Sequence, residues 1–403
     1  MSDPLRAVNR LRVYTPQGES GLLTMDGGKY RFGYLPHAER AVEVSLLMPH
    51  RMEPYVSDRL HPIFQMNLPE GYVLENLRRR LAKVTSFDPM LLLALTGRGT
   101  SIGRVHVQPP QALLDALQAD DADRGERLED ILAWKGAGNL FDELARRYLL
   151  RTGISGVQPK LLVPEAPPAG KASLITTDLI VKSGGDDFPG LAINEYVCMS
   201  AARRAQIPVP EFWLSDNRQL FVMRRFDRDE NGTPLGFEEM AVLMARDATQ
   251  KYEGSYEQVA RFAALFCSPM HRGQALAQLF DQVALSCILG NGDAHLKNFG
   301  VLYRDPTSED IRFAPAYDMI CTTAYLRDDS LALTLGGSKS FFASRVHLID
   351  FAPRCQVKRP RDRILQLLVA VEKELQEQAP LLDEAPQVRD GMRNAFESFA
   401  GAF

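Results

Sequence analysis

In the first hundred residues apolar and polar positions alternate in short runs. Arg12-Val13-Tyr14, Lys29 to Tyr34 and Ala41 to Leu46 carry the period of two that sends successive side chains to opposite faces of a strand. Turn-forming residues, Pro16-Gln17-Gly18 and Asp26-Gly27-Gly28, separate them. From Pro69 to Val84 the period changes. Leu74, Leu77 and Leu81 recur at helical spacing, and Arg78, Arg79, Arg80 and Lys83 fill the other face as a solvated surface would. Residues 1–107 are therefore expected to form a small β-rich domain. Gln108 to Asp130 opens on Pro109-Pro110 and holds an acidic run, so 108–130 reads as a linker.

Beyond the linker the pattern predicts a helix over Leu140–Leu150 and strands over Ile154–Val163, Leu174–Val181 and Gln219–Met223. A helix over Ile193–Ala205 is inserted between the last two strands. From 236 onward amphipathic helices dominate: Tyr256–Cys267, Gly273–Leu289, Asp362–Glu377 and Val388–Phe399. The expected fold class is α+β. A small β-rich lobe (131–235) precedes a helical C-terminal lobe (236–403), the two-lobed protein-kinase-like architecture, behind the β-rich N-terminal domain.

Composition narrows this picture. The chain of 403 residues is 45% hydrophobic and 24% charged, the balance of a globular protein and not of a disordered chain or a rod. A net charge of −4 gives no overall basic footprint for nucleic acid. The five cysteines are odd in number and form no CxxC pair, which points to free thiols in a reducing compartment and disfavours zinc. The first residues, MSDPLRAVNRLRVY, lack a signal-peptide core, and apolar runs such as Pro89–Leu95 are too short to span a bilayer. A cytoplasmic protein without membrane contact is expected.

The candidate chemistry lies in Gly290-Asn291-Gly292-Asp293-Ala294-His295-Leu296-Lys297-Asn298-Phe299, directly after a long apolar helix. An Asp and an Asn five positions apart on one tight loop suit phosphoryl transfer. The carboxylate can accept the proton of an attacking hydroxyl, and the amide oxygen can face a metal ion. Gly292 is expected to let the chain turn sharply before Asp293. Asp318 follows Asp293 by 25 residues, after a short strand pair (Phe299–Tyr303 and Ile311–Phe313), and can return a second carboxylate to the loop. Magnesium prefers such a set, completed by phosphate oxygens and water. Lys182 ends the apolar strand Leu179-Ile180-Val181 and can reach α- and β-phosphates. Glu195, in the following helix, can pair with it. Gly153 to Lys160, with Ser155, Gly156 and Val157, can bring backbone amides near phosphates. Each part alone is weak; their order is that of a kinase. No GxxxxGK[ST] or strand-linked GxGxxG is present, and Gly97 to Gly103 reads as a turn.

These blocks resemble the HipA family, the serine/threonine kinase toxins of bacterial toxin-antitoxin systems. The matching pieces are ISGVQPK (154–160), LIVK (179–182), NEY (194–196), RRFDR (224–228), GDAHLKN (292–298) and AYD (316–318). In the N-terminal segment they are FQMNLPEGY (64–72) and IGRV (102–105). The resemblance implies Asp293 as catalytic base, Asn298 and Asp318 as magnesium ligands, and Lys182 on the ATP phosphates. His295 and Lys297 would shape the catalytic loop, with Lys297 reaching the γ-phosphate. Met223, Arg224 and Phe226 would form the hinge beside adenine, and Asp227 would lie near the ribose. The loop carrying Ser155, Gly156, Val157 and Lys160 would cover the phosphates. The family's regulatory serine is commonly at the position of Gly153; here Ser155 is the candidate for autophosphorylation.

The activity implied is ATP- and Mg²⁺-dependent phosphorylation of a protein hydroxyl, on a translation component such as an aminoacyl-tRNA synthetase, with growth arrest. The partner implied is a helix-turn-helix antitoxin of the HipB type, with DNA contacted only through it. Two alternatives stand beside this. GDAHLKN also resembles the HGDxxxxN loop of aminoglycoside and choline phosphotransferases, which lack a counterpart of residues 1–107. A non-catalytic corepressor partnered with a DNA-binding antitoxin is the other.

Overall fold

The computed structural model describes residues 8–80, 87–97, 101–111, 113, 125–135, 139–154, 156, 158–166, 178–185, 187–401 and 403. Strands β1 (Arg10–Thr15), β2 (Gly18–Asp26), β3 (Lys29–Tyr34), β4 (Tyr55–Ser57) and β5 (His106–Gln108) form an antiparallel sheet in the order β4-β3-β2-β1-β5. Alternation decides its inner face. Leu11, Val13 and Thr15 are buried while Arg10 and Arg12 are exposed, and Leu23 pairs with both Leu11 and Phe32. Helices α1 (Gly71–Arg80) and α2 (Pro89–Thr96) follow. The Asp88 side chain caps α2 by accepting the Leu91 N–H at 2.9 Å.

Ala41–Leu46, expected as a strand, is a short 3-10 turn (Arg40–Val42) followed by irregular chain. Val42, Glu43, Val44 and Ser45 are all buried, so the alternation does not set an inner and an outer face, and the backbone groups find side chains and not a neighbouring strand. Ser20 Oγ donates to Val42 O, Val44 N donates to Tyr34 Oη, and Leu46 N donates to Glu238 Oε1 at 2.8 Å. Ser45 Oγ donates to Glu238 Oε2 at 2.7 Å. Glu238 is fully buried in the C-terminal half of the chain, so this segment docks the first sheet onto the rest. The apolar cluster of the first sheet accordingly includes Phe237, Val242 and Ala314. Of the expected linker, Gln108 closes β5 and a helix begins at Leu128; residues 112 and 114–124 lie outside the described residues.

Helix α3 (Leu140–Tyr148) packs on a second antiparallel sheet of β6 (Lys160–Pro164), β7 (Asp178–Ser183), β8 (Phe212–Leu214) and β9 (Leu220–Arg224), in the order β6-β7-β9-β8. The strand expected from Ile154 starts only at Lys160, because Pro159 has no N–H to give a ladder. Residues 174–177 of the next expected strand lie outside the described residues. Helix α4 (Leu191–Arg204) is inserted between β7 and β8, as the pattern predicts. Lys160 and Lys182 are register partners across β6 and β7, which puts both side chains on one face.

The helical lobe contains α5 (Tyr256–Phe266), α6 (Pro269–Leu289), α7 (Phe341–Phe351), α8 (Pro360–Glu377) and α9 (Pro386–Ala400). A capping box of Ser255 and Gln258 starts α5. The hairpin of β11 (Gly300–Tyr303) and β12 (Arg312–Phe313) has the expected place and is joined by β10 (Gly236–Glu239). All five cysteines are free and buried. Among the described residues no helix is long and apolar enough to cross a membrane.

Candidate active site

Helix α6 is buried along its last turns and ends at Gly290, whose φ of +68° closes the helix in the left-handed region. The loop that follows is packed tightly. Gly292, expected to supply a sharp turn, does not have positive φ; a Cβ there would overlap the Asp329 carboxylate and the Ser330 carbonyl. Space, and not backbone freedom, requires the glycine. Asp293 N donates to Asn291 Oδ1 at 3.0 Å, and the Tyr252 hydroxyl donates to Asp293 Oδ1 at 2.7 Å. Burial raises the Asp293 carboxyl above the ordinary range, and the Tyr252 hydrogen bond opposes that rise. His295 Nε2 lies 3.9 Å from the same oxygen. Burial, with Lys251 nearby, pushes His295 down to about 3, so it is neutral near pH 7 and makes no ion pair there.

Asn298 lies behind Asp318. Its amide nitrogen donates to Asp318 Oδ2 at 3.2 Å, and its oxygen accepts the His295 N–H at 3.0 Å. Asp318 itself has φ +57°, a region that non-glycine residues visit at a cost. Two lysines hold it there. Lys182 Nζ sits 2.5 Å from Glu195 Oε1 and 2.6 Å from Asp318 Oδ1, and Lys160 Nζ is 4.0 Å from Asp318 Oδ2. Burial works against a charged Lys182, but Asp318 and Glu195 outweigh it and raise its pKa. Burial likewise opposes the Asp318 charge, yet Lys160 and Lys182 hold its carboxyl well below the usual range.

These groups surround one cavity of about 990 Å³. Of the expected site residues, Gly156, Lys160, Lys182, Met223, Phe226, Asp227, Asp293, His295, Lys297 and Asp318 line it. Glu195 and Asn298 touch it only through Lys182 and Asp318. Arg224 points elsewhere, onto Glu211 (2.7 Å) and Glu165. It occupies the opposite face of β9 from Met223, as strand alternation demands. Ser155 and Val157 lie outside the described residues. Asp227 is engaged by protein. Arg225 donates to both of its oxygens (2.8 and 2.6 Å), and Gly103 N donates to Oδ2 at 2.6 Å. Burial opposes its charge, but Arg225 and Arg228 hold the carboxyl down at about 2.

Two groups that line the cavity, Tyr252 and Glu239, and one that holds Lys297, Glu70, carry no functional signal in the local sequence. Tyr252 has no spacing signal. Glu70, from the LPEGY stretch of the N-terminal segment, accepts Lys297 Nζ at 3.2 Å. Glu239 lines the cavity, and burial pushes it up to about 7. Nothing local in the LPEGY stretch says that it reaches Lys297, 227 positions away.

The donor set fits magnesium only together with a phosphate ligand. Among the described residues no group of three or more His, Cys, Asp and Glu side chains could hold a metal. Asp318 offers the cavity a carboxylate, which magnesium takes when phosphates and water complete its shell, while the Asn298 oxygen, directly behind it, is turned to the His295 N–H and faces a metal only after the amide turns.

Residues 152–379 match the HipA-like C-terminal domain, and residues 11–108 match the HipA N-terminal domain. The Sinorhizobium fredii protein named "Putative kinase Y4dM" is 27% identical over 318 residues, 73% of this chain and 71% of that one. A second from that organism, "Putative kinase Y4mE", is 27% identical over 305 residues, 71% of this chain and 70% of its own. In the solved complex of HipA, HipB and operator DNA from Shewanella oneidensis, one chain matches with a TM-score of 0.67. The match covers 97% of both chains at 17% identity, a likeness of fold. The C-terminal domain match spans more than half of the chain, and the N-terminal one spans the first sheet: this protein belongs to the HipA family.

Proposed function

We propose that this protein is a serine/threonine protein kinase that transfers the γ-phosphate of ATP to a protein hydroxyl. The observation that carries the reading is the convergence of Asp293, Asp318 and the buried Lys182–Glu195 pair on one cavity. In this reading residues 131–235 form the nucleotide lobe, 236–403 the catalytic lobe, and 1–107 an N-terminal domain joined to them by the linker 108–130.

Lys182 and Lys160 place two ammonium groups where phosphates are to be met, and Glu195 holds Lys182 in place. Lys297, paired with Glu70, extends that positive surface toward the γ-position. Met223 and Phe226 offer an apolar wall to the base, with Asp227 at the ribose end. Asp318 and Asn298 would hold magnesium, which would supply charge neutralisation of the phosphates. Asp293 orients the acceptor hydroxyl and takes its proton.

The acceptor class proposed is a translation component such as an aminoacyl-tRNA synthetase, with growth arrest as the result. The partner is a helix-turn-helix antitoxin of the HipB type, through which DNA is contacted. Both processes belong in the cytoplasm. Support comes from family membership and from the structural likeness to a chain solved with HipB and operator DNA. Incubation with labelled ATP and a whole-cell lysate, followed by identification of the labelled protein, tests the reading; absence of transfer would leave the corepressor alternative.

Two further outcomes follow from the proposed roles. Asp318→Ala lowers Mg²⁺-dependent ATP affinity and turnover together. Calorimetry with and without Mg²⁺ measures this, and equal affinities in both conditions would remove the metal role. Ser155 acquires phosphate on incubation with Mg-ATP. Such a group adds a charge of about −1.5 to −2 in the loop just before Lys160, so Ser155→Asp lowers activity. Mass spectrometry that finds no phosphate on Ser155 in active protein would end the autophosphorylation idea alone.

A further inference from the structure

Tyr252 lies in the loop between a short 3-10 turn (Ala248–Gln250) and α5, and it lines the cavity. Its hydroxyl donates to Asp293 Oδ1 at 2.7 Å. Its ring is held from several sides although 42% of the residue is exposed. The ring meets His295 edge-on with centroids 5.1 Å apart, Lys251 Nζ lies 5.0 Å from its centroid, and Lys339 Nζ donates to its carbonyl at 3.4 Å. Among the described residues, Asp293 Oδ2 accepts no hydrogen bond.

We propose that Tyr252 is a positioning residue for Asp293: by donating to Oδ1 it fixes the carboxylate and leaves Oδ2 to receive the proton of the acceptor hydroxyl. The inference rests on the kinase reading above. A carboxylate torsion is broad and two-fold, so without a second bond the two oxygens exchange places freely. A tyrosine ring held edge-on against His295 removes that freedom. The proton balance is simple. The acceptor O–H bond breaks as the new O–P bond forms, ADP leaves, and Asp293 Oδ2 gains the proton while Tyr252 keeps its own.

The bond also favours the charged carboxylate. The titratable or charged groups around Asp293 are Tyr252, neutral His295, Lys251, Lys160 and Asp318. Tyr252 and the lysines lower its pKa, while burial and Asp318 raise it. Loss of the hydroxyl therefore raises the pKa further. The base is lost as pH falls, so the acid limb of the rate profile moves to higher pH.

Tyr252→Phe is the test, because it keeps the ring, its contact with His295 and the Lys251 contact. The expected kcat is about 10-fold lower, the worth of one hydrogen bond to a charged group. The KM for ATP, the calorimetric affinity for Mg-ATP and the melting temperature stay at wild-type values, and the acid limb shifts upward. A wild-type kcat with an unmoved acid limb overturns the inference. So does a loss of rate that comes with weaker Mg-ATP binding or a lower melting temperature, since that marks a merely structural role. If wild type transfers phosphate, Asp293→Asn does not, and Tyr252→Phe equals wild type, only the Tyr252 role fails. If wild type transfers no phosphate to any lysate protein, the kinase reading fails and this inference with it.

Discussion

Asp293→Asn lowers phosphoryl transfer by about 10²–10⁴-fold, the usual worth of a positioned general base. The substitution changes almost no volume. The amide oxygen can still accept the Tyr252 hydroxyl, and Asn291 can still accept the backbone N–H of residue 293. What is lost is the ability to take a proton and the negative charge that orients the acceptor. The variant should keep the wild-type melting temperature and Mg-ATP affinity. Initial rates of label transfer to the identified acceptor measure the effect. Wild-type turnover in this variant would show that Asp293 is not the base.

Arg225→Met destabilises the protein by about 3–5 kcal/mol, the cost of stripping one partner from a buried charge network. The Arg225 side chain is 0% exposed and donates to Asp178 (2.9 Å), to both oxygens of Asp227, and to the Ser101 carbonyl (2.6 Å). Methionine fills most of the space but leaves Asp227 with Arg228 alone among these arginines. The network also ties the N-terminal segment to the residues just after β9 through Ser101 and Gly103. Its pH dependence has a definite sign. Asp227 is held at about 2 against an ordinary value of 3.8, so its stabilisation is present above 3.8 and is lost as pH falls toward 2. Urea unfolding of wild type and variant at pH 7 and at pH 3 is the measurement. The gap should be wide at pH 7 and narrower at pH 3. A difference below about 1 kcal/mol at pH 7, the range of an exposed pair, would refute the account. Adding Asp227→Leu to Arg225→Met should recover part of the loss, because the unpaired carboxylate is then gone.

The local elements followed from the sequence by itself. Period two marked β1 and β3, a continuous apolar run marked β9, helical spacing marked α4 to α6, α8 and α9, and the order of Lys182, Glu195, Asp293, Asn298 and Asp318 singled out the residues that converge. These are short-range signals: a strand or helix face is set by neighbours one turn away, and a motif by spacing within a loop.

What the tertiary structure decided lies beyond that range. Ala41–Leu46 alternates like a strand, yet Glu238, far along the chain, takes its backbone N–H of Leu46 and its Ser45 hydroxyl. Arg224 and Arg225 read alike as neighbours, but one faces Glu165 and Glu211 while the other is buried against Asp178 and Asp227. Asn298 stands behind Asp318, and Glu70 and Tyr252 reach the Gly290–Phe299 loop from distant segments. No local pattern encodes such contacts. Partners of a buried charge or a hydrogen-bonding hydroxyl are chosen by which surfaces the folded chain brings within about 3 Å; packing of the N-terminal domain against the helical lobe made that choice for Ser45, Leu46 and Glu70, and packing inside each lobe made it for the others.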